Sequence, residues 1–284
     1  MGINEFLEKT FSGRWIAGPK IEDALYTTRR FNAKKISSII NYLGEMIRDR
    51  ERARNTVSTY TELIKAINRE NLKADITIKS TGIGLLIDYK FYFSNYEKIV
   101  EFAKKNNVFV WFDMEEFVYV DSVIKAYKSL ISKANTGIAI QANLRRSQKD
   151  IEELVEKGAT IRLVKGAYRT STENSFPSRR ETTHNYITIM EYLFSNAKRF
   201  TIASHDPNVI SKALELHSKN KKDVTYAMLN GIRNKYAVHL ASSSKKVALY
   251  LPFGTDWVAY SYRRIKGINS LKILTRSLFS NQVI

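Results

Sequence analysis

Eight short apolar runs punctuate the 284-residue chain, and their spacing limits what it can fold into. They are ISSIIN (36–41), DITIK (75–79), VFVWFD (108–113), GIAIQ (137–141), TIRLVK (160–165), FTIAS (200–204), VTYAM (224–228) and KVALY (246–250). Each is β-rich and nearly continuous in hydrophobicity, as strands are in a parallel sheet covered on both faces. Stretches with helical spacing lie between them, among them DSVIKAYKSLISK (121–133), DIEELVEKG (150–158) and NYITIMEYLFSNAK (185–198). Eight strand–helix units predict an α/β fold, a (β/α)8 barrel of the TIM type. A doubly wound open sheet is the structural alternative. No Gly/Ser/Pro-rich linker divides the chain, so one domain is expected over 1–284, with a helical lead-in over 1–35 and the barrel and C-terminal helices over 36–284.

A barrel makes a demand on the sequence, because its functional side chains sit at the C-terminal ends of the strands. The apolar runs end in Lys79, Asp113, Gln141, Lys165, Ser204 with His205, and Tyr250. Any strand ends in something polar as it reaches solvent. Six ends that can ionise or hydrogen-bond, converging on one face, make a candidate site.

Composition removes several chemistries. The chain has no cysteine, and its four histidines show no H-E-x-x-H spacing, so no metal site is expected. Ser204-His205-Asp206 is a triad in letters only, since triads assemble from separated segments. Neither a G-x-G-x-x-G fingerprint nor a P-loop is present. The net charge of +18 raises nucleic acid, anionic membranes and anionic ligands as partners. The basic residues are scattered without a recognition motif, which argues against nucleic acid. No apolar run approaches the ~20 residues of a membrane span, and the first residues carry no signal-peptide pattern, so a cytoplasmic location is expected.

Two segments carry more. In IRLVKGAYRTS (161–171) a strand runs into a glycine turn. There Gly166 would let the backbone approach a planar or phosphorylated ligand, with Arg162 and Lys165 supplying charge and Tyr168 a ring. In YLPFGTDWVAYSYRRIKG (250–267), Thr255 or Asp256 can cap a helix that Gly267 ends. Tyr260, Arg263 and Arg264 then share one helix face. No acid follows Asp256 to pair with the two arginines, whose guanidiniums suit a carboxylate.

Together these segments resemble the proline dehydrogenase family, FAD-dependent enzymes that oxidise L-proline on a distorted (β/α)8 barrel. The resemblance runs through INYLGE (40–45), ITIKS (76–80), FVWFDMEE (109–116), IQANLRRSQKD (140–150), IRLVKGAYR (161–169), ASHDP (203–207) and YLPFGTDWVAYSYRR (250–264). The motifs keep the family's order and cover nearly the whole chain. RLVKGAY joined to a terminal Tyr-x-Pro-x-Gly…Tyr-x-x-Arg-Arg block is a specific combination.

The resemblance implies C-terminal helices over the barrel mouth and the following roles. Arg263 and Arg264, with Lys79, would bind the proline carboxylate. Tyr250 would pack on the proline ring, with Tyr260, Leu229 and Tyr168 as pocket neighbours. Asp113 would orient Lys79, and Arg162 would lie beside the flavin N5. Gln141, Lys165, Gly166, Ala167, Ser204 and His205 would line FAD. The implied reaction is hydride transfer from proline C5 to flavin N5, giving Δ1-pyrroline-5-carboxylate, with electrons passed to a quinone-type acceptor. The basic, amphipathic stretch 270–284 could then touch an anionic membrane at its inner face, or simply pack on the barrel.

Two positions depart from the family. It usually carries a glutamate where this chain has Gly267, and Glu-x-Gln-x-Leu where this chain has Thr225, Ala227 and Leu229. A hydroxyproline dehydrogenase and a weakened or purely ligand-binding barrel are the alternatives, and Tyr250, whose ring would crowd a 4-hydroxyl, favours proline.

Overall fold

The structure is a computed structural model that describes residues 15–133, 135–168 and 170–257. Tyr260, Arg263, Arg264, Gly267, the amphipathic stretch 270–284 and the expected C-terminal helices lie outside the described residues.

All eight expected strands form. They are β1 (Ile36–Tyr42), β2 (Ala74–Ile78), β3 (Val110–Phe112), β4 (Thr136–Gln141), β5 (Thr160–Val164), β6 (Arg199–Ala203), β7 (Asp223–Leu229) and β8 (Lys246–Phe253). Each pairs in parallel with the next, and β8 closes on β1, so the sheet is a barrel and not an open doubly wound sheet. The helices are α1 (Ile21–Ala33) in the lead-in, then α2 (Arg50–Arg69), α3 (Tyr89–Lys105), α4 (Val120–Leu130), α5 (Ser147–Glu156), α6 (Arg179–Asn196), α7 (Pro207–Lys219) and α8 (Asn234–Ser242).

Local chemistry sets several helix starts on the loops that leave the strands' C-terminal ends. Asp49 accepts from Arg52 N at 2.8 Å to begin α2, and Asp88 accepts from Lys90 N at 2.6 Å to begin α3. Ser178 and Glu181 form a reciprocal capping box, which starts α6 at Arg179, six residues before the apolar pattern at Asn185. Strand β8 runs on past Tyr250, through Pro252. A proline there removes one donor only, and its carbonyl still accepts from Ala17 N at 2.9 Å.

Small residues make room inside the barrel for large ones. A Cβ on Gly137 would stand 2.4 Å from the Trp111 ring, so glycine at this point of β4 lets the indole lie across the interior. Trp111 in turn clusters with Ile39, Ala227 and Ala248, with Ala203 and Tyr250 packed alongside. The guanidinium of Arg162 lies over both the Trp111 and Tyr250 rings, at 5.1 and 5.7 Å. Among the described residues no helix is long and apolar enough to cross a membrane.

Candidate active site

The closed parallel barrel brings every strand's C-terminal end to one mouth, and the expected polar residues gather there. Lys79 follows β2, Asp113 follows β3, Gln141 ends β4, Lys165 follows β5, Ser204 and His205 follow β6, Leu229 ends β7 and Tyr250 lies in β8. Leu229 and Tyr250 are register partners across β7 and β8.

Asp113 joins three strands. Its Oδ1 accepts from Arg162 Nη2 at 2.9 Å, and its Oδ2 accepts from the Tyr250 hydroxyl at 2.9 Å. Arg162 Nη2 also donates to Thr77 Oγ1 at 3.1 Å. Arg162 is only 2% exposed, yet its Nη1 has no hydrogen-bond partner among the described residues. A buried guanidinium keeps an idle donor at a cost unless something outside the described protein atoms accepts from it.

Lys79 forms its ion pair with a residue that polar strand ends do not single out. Its Nζ donates to Glu45 Oε2 at 2.6 Å, and both side chains are largely buried. Glu45 stands in the loop between β1 and α2, at the end of INYLGE. The hydrogen bonds of Asp113 reach Arg162, Tyr250 and the Met114 amide. Glu115, two residues beyond Asp113, is also buried. Its Oε1 accepts from Thr81 N at 2.9 Å, and its Oε2 accepts from the Thr81 hydroxyl. Burial pushes the Glu115 carboxyl up to about 7, against the opposing pull of the Lys79 ammonium and the Thr81 donors. Its carbonyl accepts from Gln141 Nε2 at 3.1 Å.

The other half of the mouth is built from β5 and β6. Gly166 has φ +104°, and a Cβ there would fall 2.0 Å from Asn143 Oδ1, so only glycine fits the turn. Gly166 and Ala167 are exposed, with Lys165 and Tyr168 half-buried beside them. Lys165 Nζ donates to Thr183 Oγ1 at 2.8 Å and to Asp206 Oδ2 at 2.6 Å. Burial raises Asp206, but the Lys165 ammonium and the α7 amides outweigh it and hold its carboxyl below the ordinary carboxylate range. Ser204 Oγ accepts from Asp206 N at 3.1 Å. His205 Nε2 accepts from Leu229 N at 3.0 Å, which leaves the proton of a neutral ring on Nδ1. Asn143, which shapes the glycine turn, went unmarked in the sequence because nothing in IQANLRR separates it from an ordinary loop asparagine.

A family model described as proline dehydrogenase matches residues 24–267. Proline dehydrogenase 2 of Bacillus subtilis (strain 168) is 30% identical over 258 residues, covering 89% of this chain and 85% of that protein. Proline dehydrogenase of Deinococcus radiodurans is 28% identical over 261 residues, covering 89% and 84% respectively. Among solved structures, proline utilization A from Bdellovibrio bacteriovorus, inactivated by N-propargylglycine, gives a TM-score of 0.89 at 21% identity. That likeness, which is one of fold, takes in 99% of this chain and 35% of the longer one, so the chain spans about a third of that protein's length. The family match reaches from α1 past the last strand, and on that evidence the chain belongs to the proline dehydrogenase family.

Proposed function

We propose that the protein oxidises L-proline to Δ1-pyrroline-5-carboxylate with FAD as cofactor and passes the electrons to a quinone-type acceptor. The observation that carries the cofactor is Arg162 Nη1, a buried donor without a partner among the described residues. A cationic donor in a dry site suits an electron-rich ring that gains negative charge on reduction. Gly166, Ala167 and Lys165 fit the rest of the group, because an exposed glycine turn beside an ammonium can take a phosphorylated ligand. FAD would thus be held by Gln141, Arg162, Lys165, Gly166, Ala167, Ser204 and His205. When bound, it would supply the acceptor for the hydride that proline loses from C5.

The chain's own residues bind and orient the substrate. Lys79, ion-paired with Glu45, would with Arg263 and Arg264 neutralise the proline carboxylate. Tyr250 would cover the ring, with Leu229, Tyr168 and Tyr260 around it. Asp113 fixes the Tyr250 hydroxyl and the Arg162 guanidinium together, so the substrate side and the cofactor side would be held in one geometry. The Tyr250 ring would crowd a 4-hydroxyl, which favours proline over hydroxyproline. We assign the whole chain to one barrel domain, located in the cytoplasm, with any membrane contact made by the basic stretch 270–284.

The test is the visible spectrum of the purified protein under anaerobic conditions, before and after L-proline. Bleaching of a flavin band by proline, and not by an acyclic amino acid, is the expected result. A bound flavin that proline leaves oxidised would point to another substrate, and a colourless protein that takes up no FAD would overturn the cofactor assignment. Treatment with N-propargylglycine, which inactivates the Bdellovibrio relative, should also stop proline oxidation.

A further inference from the structure

The loop between β1 and α2 carries Glu45. Met46 within it has φ +56°, a left-handed conformation that is uncommon for a residue with a side chain. Two successive amides of the loop are held by one residue. Met46 N donates to Thr81 Oγ1 at 3.1 Å, and Ile47 N donates to Thr81 O at 3.0 Å. The two segments also press together: a Cβ on Gly82 would stand 2.4 Å from Gly44 O.

Thr81 is itself pinned from behind. Glu115, 2% exposed, spends both carboxyl oxygens on Thr81, one on its amide and one on its hydroxyl. The hydroxyl therefore donates to Glu115 while accepting from Met46, and one side chain relays the fixed position of β3 to the Glu45 loop. The carbonyl of Glu115 meanwhile receives the Gln141 amide.

We propose that Glu115 is a positioning residue that locks the Glu45 loop through Thr81. It thereby sets the Glu45 carboxylate against Lys79 on the substrate side and Gln141 on the cofactor side. The inference rests on the roles given to Lys79 and Gln141 above. It accounts for a buried carboxyl that binding and oxidation do not otherwise use, and for why FVWFDMEE carries a second acid two residues after Asp113.

Thr81→Val removes the relay and keeps the shape, while Thr81→Ser keeps both. Hydrogen exchange of the amides in 43–49 should quicken at least tenfold in Thr81→Val and return close to the wild-type rate in Thr81→Ser. Proline KM should rise about tenfold in Thr81→Val with kcat within about twofold and FAD content unchanged, one hydrogen bond being worth about a factor of ten. Should Thr81→Val fail to fold, Glu115→Gln is the second variant, with the same exchange and KM changes expected. Exchange and KM both within twofold of wild type would overturn the lock. A wild-type protein that proline does not reduce would instead overturn the function proposed above, and the exchange rates, measured without substrate, would still decide the lock.

Discussion

Tyr250 and Asp113 stand 137 residues apart in the chain, and the tyrosine hydroxyl donates to the aspartate Oδ2 at 2.9 Å. Closure of β8 onto the barrel makes this contact, which ties the Tyr250 ring to the same carboxylate that receives Arg162 at 2.9 Å. A hydrogen bond to an ionised acceptor contributes about 1.5–3 kcal/mol. In Tyr250→Phe the ring stays and the tether goes, so kcat/KM for proline should fall at least about tenfold with FAD content unchanged. Steady-state kinetics beside a flavin absorbance ratio checks this. Equal kcat/KM would mean that the ring's position does not depend on Asp113.

Asp113 also neutralises a guanidinium that is 2% exposed. Removing one partner of a buried pair leaves the other charge uncompensated, at a cost of about 3–5 kcal/mol. Asp113→Ala should therefore lower the melting temperature by about 10 °C, at about 2–4 °C per kcal/mol for a chain of this size. Asp113→Asn retains an acceptor for Arg162 and should lose less. If both variants melt like the wild type, the Trp111 and Tyr250 rings beneath the guanidinium are holding the charge without Asp113.

The barrel was legible in the sequence because eight buried strands must each be apolar, and eight apolar runs can be counted. Lys79 and Asp113 follow directly on β2 and β3 as the apolar runs implied, whereas β8 continues past Tyr250 to Phe253. Pairing was not legible. Lys79 meets Glu45, 34 positions away, and it is the parallel pairing of β1 with β2 that puts the loops after them side by side. Glu115 and Glu116 read alike in FVWFDMEE, yet Glu115 is buried and Glu116 exposed, a difference set by which way the chain turns after β3. Strand β3 itself spans only Val110–Phe112 of the expected 108–113, since its hydrogen-bonded register with β2 and β4 covers just those three residues.

Glu115 gives the fold a pH dependence whose sign follows from its environment. Its carboxyl is pushed up to about 7 from an ordinary 4.5, chiefly by burial. Between those values the folded chain keeps a proton that the unfolded chain has lost. Stability from this group is therefore greatest at and below about pH 4.5 and declines as pH rises, the decline being complete above about pH 7. At about 1.4 kcal/mol per pH unit the loss is about 3 kcal/mol. The charges that face it are Lys79, which opposes the shift, and Asp113, which adds to it. Buried Tyr92, whose own hydroxyl is pushed well above its usual range, couples to it as well. Denaturant unfolding of wild type and Glu115→Gln from pH 4.5 to 8 should show wild type losing about 3 kcal/mol relative to the variant. A difference that stays constant across that range would mean that Glu115 is ionised throughout.

A substitution at Gly166 separates the proposed cofactor role of this turn from its role in the fold. Alanine there would meet two penalties, a left-handed backbone at φ +104° and a Cβ only 2.0 Å from Asn143 Oδ1. The first costs about 1–2 kcal/mol for a residue with a side chain. Gly158, between α5 and β5, meets the first penalty alone, with φ +79° and nothing within 4 Å of an added Cβ. Gly158→Ala should therefore lose about 1 kcal/mol of stability and keep its FAD. Gly166→Ala should lose at least as much stability, and it should also lose most of its FAD as Asn143 is driven from the turn that Lys165 and Tyr168 flank. Flavin content per chain, measured on both variants after purification in excess FAD, decides the matter. Equal flavin in the two would mean that the turn at Gly166 serves only the backbone, and the phosphate side of the site would have to be sought elsewhere on the barrel mouth.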